Sequence, residues 1–169
     1  MAAAAPWSTR LADEVIAAEI AAARSFYGDD DGGGATAMLP ILHALQRAFG
    51  HVPPQALPLI AERLNVSKAD VRGVLSFYHD FHDAPTGRCV LKLCRAEACQ
   101  ALGSERVAAH LESAHGLQPG SGGELTLQNV YCLGNCALGP AALVDNELQA
   151  GFDEQAADAL LARLRGAQT

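Results

Sequence analysis

Five cysteines lie between Cys89 and Pro140, and four of them form two close pairs. Cys94 and Cys99 have four residues between them (CRAEAC), Cys132 and Cys136 have three (CLGNC), and 32 residues separate the pairs. Four thiolates in two short loops can hold one metal centre. A two-iron cluster takes four cysteine sulfurs, with spacings that vary between families. Structural zinc takes the same ligands from knuckles with about two to four residues between paired cysteines, so the spacing suits zinc as well. A disulfide framework fits less well, since five is an odd number and nothing marks the chain as secreted. No C-x-x-C pair is present, which argues against thiol–disulfide exchange.

Other chemistry-bearing residues have a bland reading beside the sharp one. Cys89 lies five residues before Cys94 in the strand-like run RCVLKL. Strand side chains alternate, so Cys89 faces away from Cys94 and reads as a packed thiol rather than a ligand. Arg95 could offset the negative charge of a neighbouring centre or simply lie in solvent. Gly134, inside CLGNC, either lets the backbone wrap closely and aim amides at sulfur or serves as a plain turn glycine. His79, Asp80, His82 and Asp83 make an HDFHD cluster that suggests a second metal site, although such clusters are commoner as solvated helix ends. Asp29, Asp30 and Asp31 precede Gly32, Gly33 and Gly34 without matching a calcium-loop template, and so read as a linker. No residue argues for a general acid, a base or a nucleophile, and no glycine-rich phosphate loop is present.

The elements that must position the cysteines follow from apolar periodicity. Residues 8–27 read as a helix capped by Ser8 or Thr9, with a thin face of Leu11, Val15, Ala18 and Ala22, as in a loosely packed terminal helix. Residues 35–50 repeat Leu39, Leu42, Leu45 and Phe49 at helical spacing, with Pro40 in the first turn and Gly50 as the C-cap. Pro53 and Pro54 introduce a helix bearing Leu57, Ile60, Ala61 and Leu64, and Ser67 with Asp70 opens another bearing Val71, Val74, Leu75 and Tyr78. Short connections make these an antiparallel bundle. Pro85, Thr86 and Gly87 read as a hinge. Beyond it come a strand at 88–93, a helix from about Cys99 to Ala114 with Leu102, Val107 and Leu111, and a turn at 120–123. The alternating strand ELTLQNVY, a hairpin around Asp145-Asn146, and a helix from Asp153 to Arg165 with Ala157, Leu160, Leu161 and Leu164 complete the chain. Both cysteine pairs then fall just beyond strand ends.

Bulk properties bound the function class. With 169 residues, half of them apolar and 18% charged, the chain is globular, and the 5% of aromatic residues leaves a core of Ala, Leu and Val. A formal net charge of -7 with only 12 basic residues argues against nucleic-acid binding, which needs Lys and Arg to neutralise phosphates. MAAAAPWSTR lacks the charged start and apolar core of a secretory signal, and Asp13 and Glu14 are out of place in a mitochondrial presequence. No run of about 18 apolar residues offers a membrane span. A cytoplasmic location, where thiols stay reduced, is expected.

CRAEAC and CLGNC, preceded by a helical segment ending LSFYHDF, resemble the thioredoxin-like 2Fe-2S subunit family over about residues 36–165. That family includes the small subunit of the NADH-oxidising module of complex I, the diaphorase subunit of NAD-linked hydrogenases, and the gamma subunit of soluble NAD-dependent formate dehydrogenases. CRAEACQALG and VYCLGNCALGPAALVD are most similar to the formate dehydrogenase gamma subunit. The resemblance implies an α+β fold with an N-terminal helix and linker (1–34), an antiparallel helical bundle (35–84) and a thioredoxin-like α/β domain (88–169). It further implies a 2Fe-2S cluster on Cys94, Cys99, Cys132 and Cys136, with Pro140 at the cis-proline position of such folds. The implied role is single-electron exchange, without catalysis in this chain, with the flavin of a flavin- and NAD-binding subunit, alongside a formate-oxidising molybdenum or tungsten subunit. The equivalent complex I or hydrogenase subunit is the alternative, and a zinc-stabilised binding module is the alternative of another class.

Overall fold

The computed structural model describes residues 5–28, 36–120 and 123–166. The run Asp29–Gly34, and Ser121 and Gly122 of the expected turn, lie outside the described residues. The chain forms two compact units, Met1–Pro85 and Thr86–Thr169, divided at the Pro85-Thr86-Gly87 segment.

Among its described residues the first unit has four helices: α1 (Thr9–Tyr27), α2 (Met38–Phe49), α3 (Ala56–Leu64) and α4 (Lys68–Phe77). Ser8 caps α1 by accepting the Leu11 N–H at 3.4 Å. The buried stripe of α1 is Ala12, Ile16, Ile20 and Ala23, one position round from the expected one, and Ala18 and Ala22 are exposed. The two isoleucines gain more from burial than alanines can, which rolls the helix onto them. α1 is therefore no loose appendage: it shares one core with Ile41, Leu42, Leu45, Ile60 and Val71 of the other helices. Trp7 stacks against Phe49 with ring centroids 5.4 Å apart, and Arg63 clasps the Asp13 carboxylate at 2.7 Å to both oxygens.

The ends of these helices follow local chemistry. Gly50 closes α2 at φ 74° and Asn65 closes α3 at φ 52°, both in the left-handed region that stops a helix. Ser67 and Asp70 form a reciprocal capping box at the start of α4. The HDFHD segment follows α4 and is tied to α2 by Gln46, whose side chain donates to the Asp80 carbonyl at 2.7 Å and accepts the His82 N–H at 2.8 Å.

The second unit is a four-stranded mixed sheet with helices, as the thioredoxin-like expectation requires. Its elements are β1 (Cys89–Cys94), α5 (Glu97–Ala101), α6 (Ser104–His115), β2 (Leu125–Val130), a 3-10 turn (Cys136–Leu138), β3 (Ala142–Val144), β4 (Glu147–Gln149) and α7 (Glu154–Gly166). Strand order is β2-β1-β3-β4, with β1 and β2 parallel and the other pairs antiparallel. Asp145 and Asn146 turn the β3–β4 hairpin at φ 49° and 70°, as a tight two-residue loop demands. Leu91, Leu93, Leu125 and Leu127 pack with Val107, Leu111, Ala157, Leu160 and Leu161 from α6 and α7.

Two local expectations are corrected here. The single helix from Cys99 to Ala114 is two, broken at Gly103 with φ 106°, and Leu102 is 48% exposed rather than on the buried face. β2 does not alternate strictly, because Thr126 is buried between Leu125 and Leu127, its hydroxyl accepting the Gly87 N–H at 2.8 Å. Leu91 is fully buried. Leu91→Ala should therefore lower the unfolding free energy by about 2–5 kcal/mol, read as a fall in urea midpoint at unchanged m-value.

Candidate metal centre

The parallel register of β1 and β2 sets Cys94 opposite Val130, and the Arg95 N–H extends the ladder to the Val130 carbonyl at 2.8 Å. Both following loops consequently leave the sheet at the same end. One carries Cys99, the buried residue of the short helix α5, and the other carries Cys132 and Cys136. A third segment closes in from β3: the Cys94 N–H donates to the Ala141 carbonyl at 3.0 Å, just past a cis Gly139–Pro140 peptide.

The four sulfurs are arranged as two pairs. Cys94 hydrogen-bonds Cys99, and Cys132 hydrogen-bonds Cys136. The pairs adjoin, because the Cys132 and Leu133 amides donate to the Cys94 sulfur and Cys136 acts electrostatically on Cys99. Cys94 and Cys99 are each 1% exposed, whereas Cys132 and Cys136 are exposed. A single tetrahedral zinc would hold all four sulfurs about 3.8 Å from one another. Among the described residues the cysteines do not form a group of three or more ligand atoms gathered about one point. Two separate pairs are what a 2Fe-2S centre needs, with two protein sulfurs on each tetrahedral iron.

The backbone around the pairs is suited to negative sulfur. Burial, the largest influence on Cys94, pushes its thiol up. The Ala96 amide, the Cys99 thiol and the Cys132 and Leu133 amides together outweigh it and hold Cys94 below the usual thiol range. Cys99 is raised, first by burial, with the Ala141 amide opposing and the neighbouring sulfurs adding to it. Cys136 is raised chiefly by its hydrogen bond and charge interaction with Cys132. Sulfurs crowded in this way repel as thiolates, and bound cations remove that repulsion.

Glycine matters at two points. Gly134 has φ 78° and nothing within 4 Å of a Cβ built there, so conformation rather than close approach requires it. The amides that reach Cys94 belong to Ala96, Cys132 and Leu133, and Cys132 itself adopts φ 85°, uncommon for a residue with a side chain. At Gly139 the reason is space. A Cβ would lie 3.4 Å from the Cys99 sulfur, 3.5 Å from the Cys136 carbonyl and 2.8 Å from the Leu102 Cδ1.

Arg95 does not offset the charge of the sulfurs as a free cation. Its guanidinium is committed to Glu105 and reaches Asn129 at 3.4 Å, while its carbonyl accepts from Gln100. Cys89 packs among Leu91 and Leu93 on the other side of β1, and its thiol is pushed up to about 11, first by burial and then by Asp145. The HDFHD ligand atoms do not gather, and Asp83 instead faces Arg72 at 3.3 Å. Three potential ligands that spacing could not reveal do meet elsewhere: His110 and His115 of α6 and Asp158 of α7. No local motif joins residues that far apart in the chain.

Ala96 has φ -74°, which proline also adopts, so Ala96→Pro removes one N–H donor from Cys94 without forcing that backbone angle. A lost hydrogen bond to a charged sulfur of about 1 kcal/mol corresponds to about 40 mV for one electron. The variant should keep its visible absorption and show a midpoint potential lower by about that amount in a redox titration.

The family model described as thioredoxin-like [2Fe-2S] ferredoxin matches residues 25–165. An NADH-quinone oxidoreductase subunit of Rhizobium meliloti (strain 1021) is 35% identical over 153 residues, covering 89% of each chain. An NADH-quinone oxidoreductase subunit of Escherichia coli (strain K12) is 33% identical over 132 residues, covering 76% of this chain and 80% of its own. The crystal structure of an air-oxidized NAD+-reducing [NiFe]-hydrogenase superposes with a TM-score of 0.64 at 25% identity, over 75% of this chain but only 23% of the hydrogenase chain. The chain thus belongs to the thioredoxin-like [2Fe-2S] ferredoxin family, and its cofactor is a 2Fe-2S cluster.

Proposed function

We propose that Cys94, Cys99, Cys132 and Cys136 hold the cluster, one pair to each iron, and that the chain is the electron-transfer subunit of an NAD-linked, flavin-containing oxidoreductase complex. The observation that carries this reading is the division of the sulfurs into a buried pair and an exposed pair. When bound, the cluster supplies one-electron chemistry. The residues of this chain do the rest. Cys94 and Cys99 seat one side in the fold, and the amides of Ala96, Cys132, Leu133 and Ala141 point positive dipoles at sulfur, favouring the more negative, reduced state. Cys132 and Cys136 present the other side at the surface.

That surface suits a protein partner. Tyr131 is 74% exposed and Leu138 61% exposed, each beside an exposed cysteine, and large apolar groups around a redox site are compatible with docking. The NADH-quinone oxidoreductase relatives and the NAD+-reducing hydrogenase support an NADH-dehydrogenase type of assembly. They favour the complex I or hydrogenase reading over the formate dehydrogenase one, which rests only on the wording of the two cysteine motifs. The proposed partner is a flavin- and NAD-binding subunit, and the proposed location is the cytoplasm. No described helix is long and apolar enough to cross a membrane.

Protein purified without oxygen should contain two irons per chain, absorb in the visible and bleach with dithionite. Serine at Cys94, Cys99, Cys132 or Cys136 should each reduce iron content or alter the electron paramagnetic resonance signal of the reduced protein. Cys89→Ala should change neither. A colourless chain holding one zinc would sink the assignment. Affinity purification from the native host decides the assembly, according to whether a quinone-reducing, a nickel-containing or a molybdenum- or tungsten-containing formate-oxidising subunit accompanies the flavin subunit.

A further inference from the structure

The sheet unit holds a second cluster of potential ligands that the electron-transfer role does not use. His110 lies in the middle of α6, and His115 is its last residue, before the Gly116 cap at φ 65°. Asp158 lies on α7. Each histidine Nε2 is 2.7 Å from the same oxygen, Asp158 Oδ1, and all three atoms fall within 4.8 Å of one another. The imidazole rings stand edge to face with centroids 5.4 Å apart. The His115 side chain is 14% exposed, that of His110 28% and that of Asp158 52%, so the trio is open to solvent on the Asp158 side.

A carboxylate has about four lone-pair positions over its two oxygens, and two donors need not share one oxygen. Here α6 brings both nitrogens to a single point on α7. We propose that His110, His115 and Asp158 form a binding site for one zinc-class divalent cation, which joins the C-terminal half of α6 to α7. Two imidazoles and one carboxylate are a borderline-soft donor set, suited to Zn2+ and neighbouring transition metals rather than to Mg2+ or Ca2+. Tetrahedral zinc needs N···O separations of about 3.3 Å, so the two 2.7 Å edges must open by roughly half an ångström. The half-exposed Asp158 carboxylate can shift to allow this, and the solvent side leaves a fourth position for water.

The test uses the full chain with its iron loaded, so that the four cysteines are occupied, in equilibrium dialysis against buffered Zn2+ without oxygen. Zinc and iron are both counted by metal analysis. One zinc per chain should bind at micromolar free Zn2+ with iron content and the visible spectrum unchanged. His115→Gln and Asp158→Asn should each weaken zinc binding at least tenfold while keeping the iron. Asp158→Asn preserves shape at an exposed position and guards against a folding defect in the histidine variant. Three results overturn the proposal: no zinc binding by the iron-loaded wild type up to millimolar concentration, equal binding by both variants, or zinc entering only as iron leaves. The outcome is separable from that of the electron-transfer reading, because iron and zinc are counted independently.

Discussion

The pairing of β1 with β2 is the constraint on which the site depends. Cys94 and Cys132 are far apart in sequence, and only a parallel register, with Cys94 opposite Val130, sends the chain beyond both strands out of the same end of the sheet. Antiparallel pairing would put the two cysteine loops at opposite ends. A parallel pair needs a crossover, and the chain between the two cysteine motifs supplies it as α5 and α6. The crossover helix α6 also buries Val107 and Leu111 against Leu91 and Leu127, so the packing that stabilises the sheet enforces the register the site needs.

Around that register the backbone solves an electrostatic problem. Crowded thiolates repel one another and lose hydration when buried, which is why burial tends to raise both Cys94 and Cys99. Cys94 nevertheless ends below the ordinary range because three main-chain amides and the Cys99 thiol converge on it, and two of the amides come from the other cysteine loop. The loop that carries those two has φ 85° at Cys132 and φ 78° at Gly134. The side chain of Arg95, the nearest cation in sequence, is held instead by Glu105, leaving main-chain amides and the Cys99 thiol as the donors at Cys94.

Asymmetry between the pairs gives the site its direction. Cys94 and Cys99 join Ala141 in a small apolar cluster of their own, while Cys132 and Cys136 open to solvent beside Tyr131 and Leu138. On the proposed ligand assignment, a centre shielded on one side and approachable on the other would exchange electrons with a docked protein without a substrate pocket of its own.

The sequence by itself located the four candidate ligands and most of the elements, and its resemblance supplied the family with its 2Fe-2S cofactor. Thiolate spacing, capping residues such as Ser67 and Asp70, and apolar periods are local properties that survive without a third dimension. Tertiary structure decided whatever depends on which surfaces meet. Ile16 and Ile20 rather than Ala18 and Ala22 face the core of the first unit, because burial is settled by neighbouring helices as well as by periodicity. The break at Gly103, the amides on Cys94 and the engagement of Arg95 by Glu105 could not be read from residue types, since a positive φ or a hydrogen-bond partner is a property of the folded path. The meeting of His110 and His115 with Asp158, 43 residues beyond the nearer histidine, was least legible of all: it exists only because α6 and α7 pack side by side.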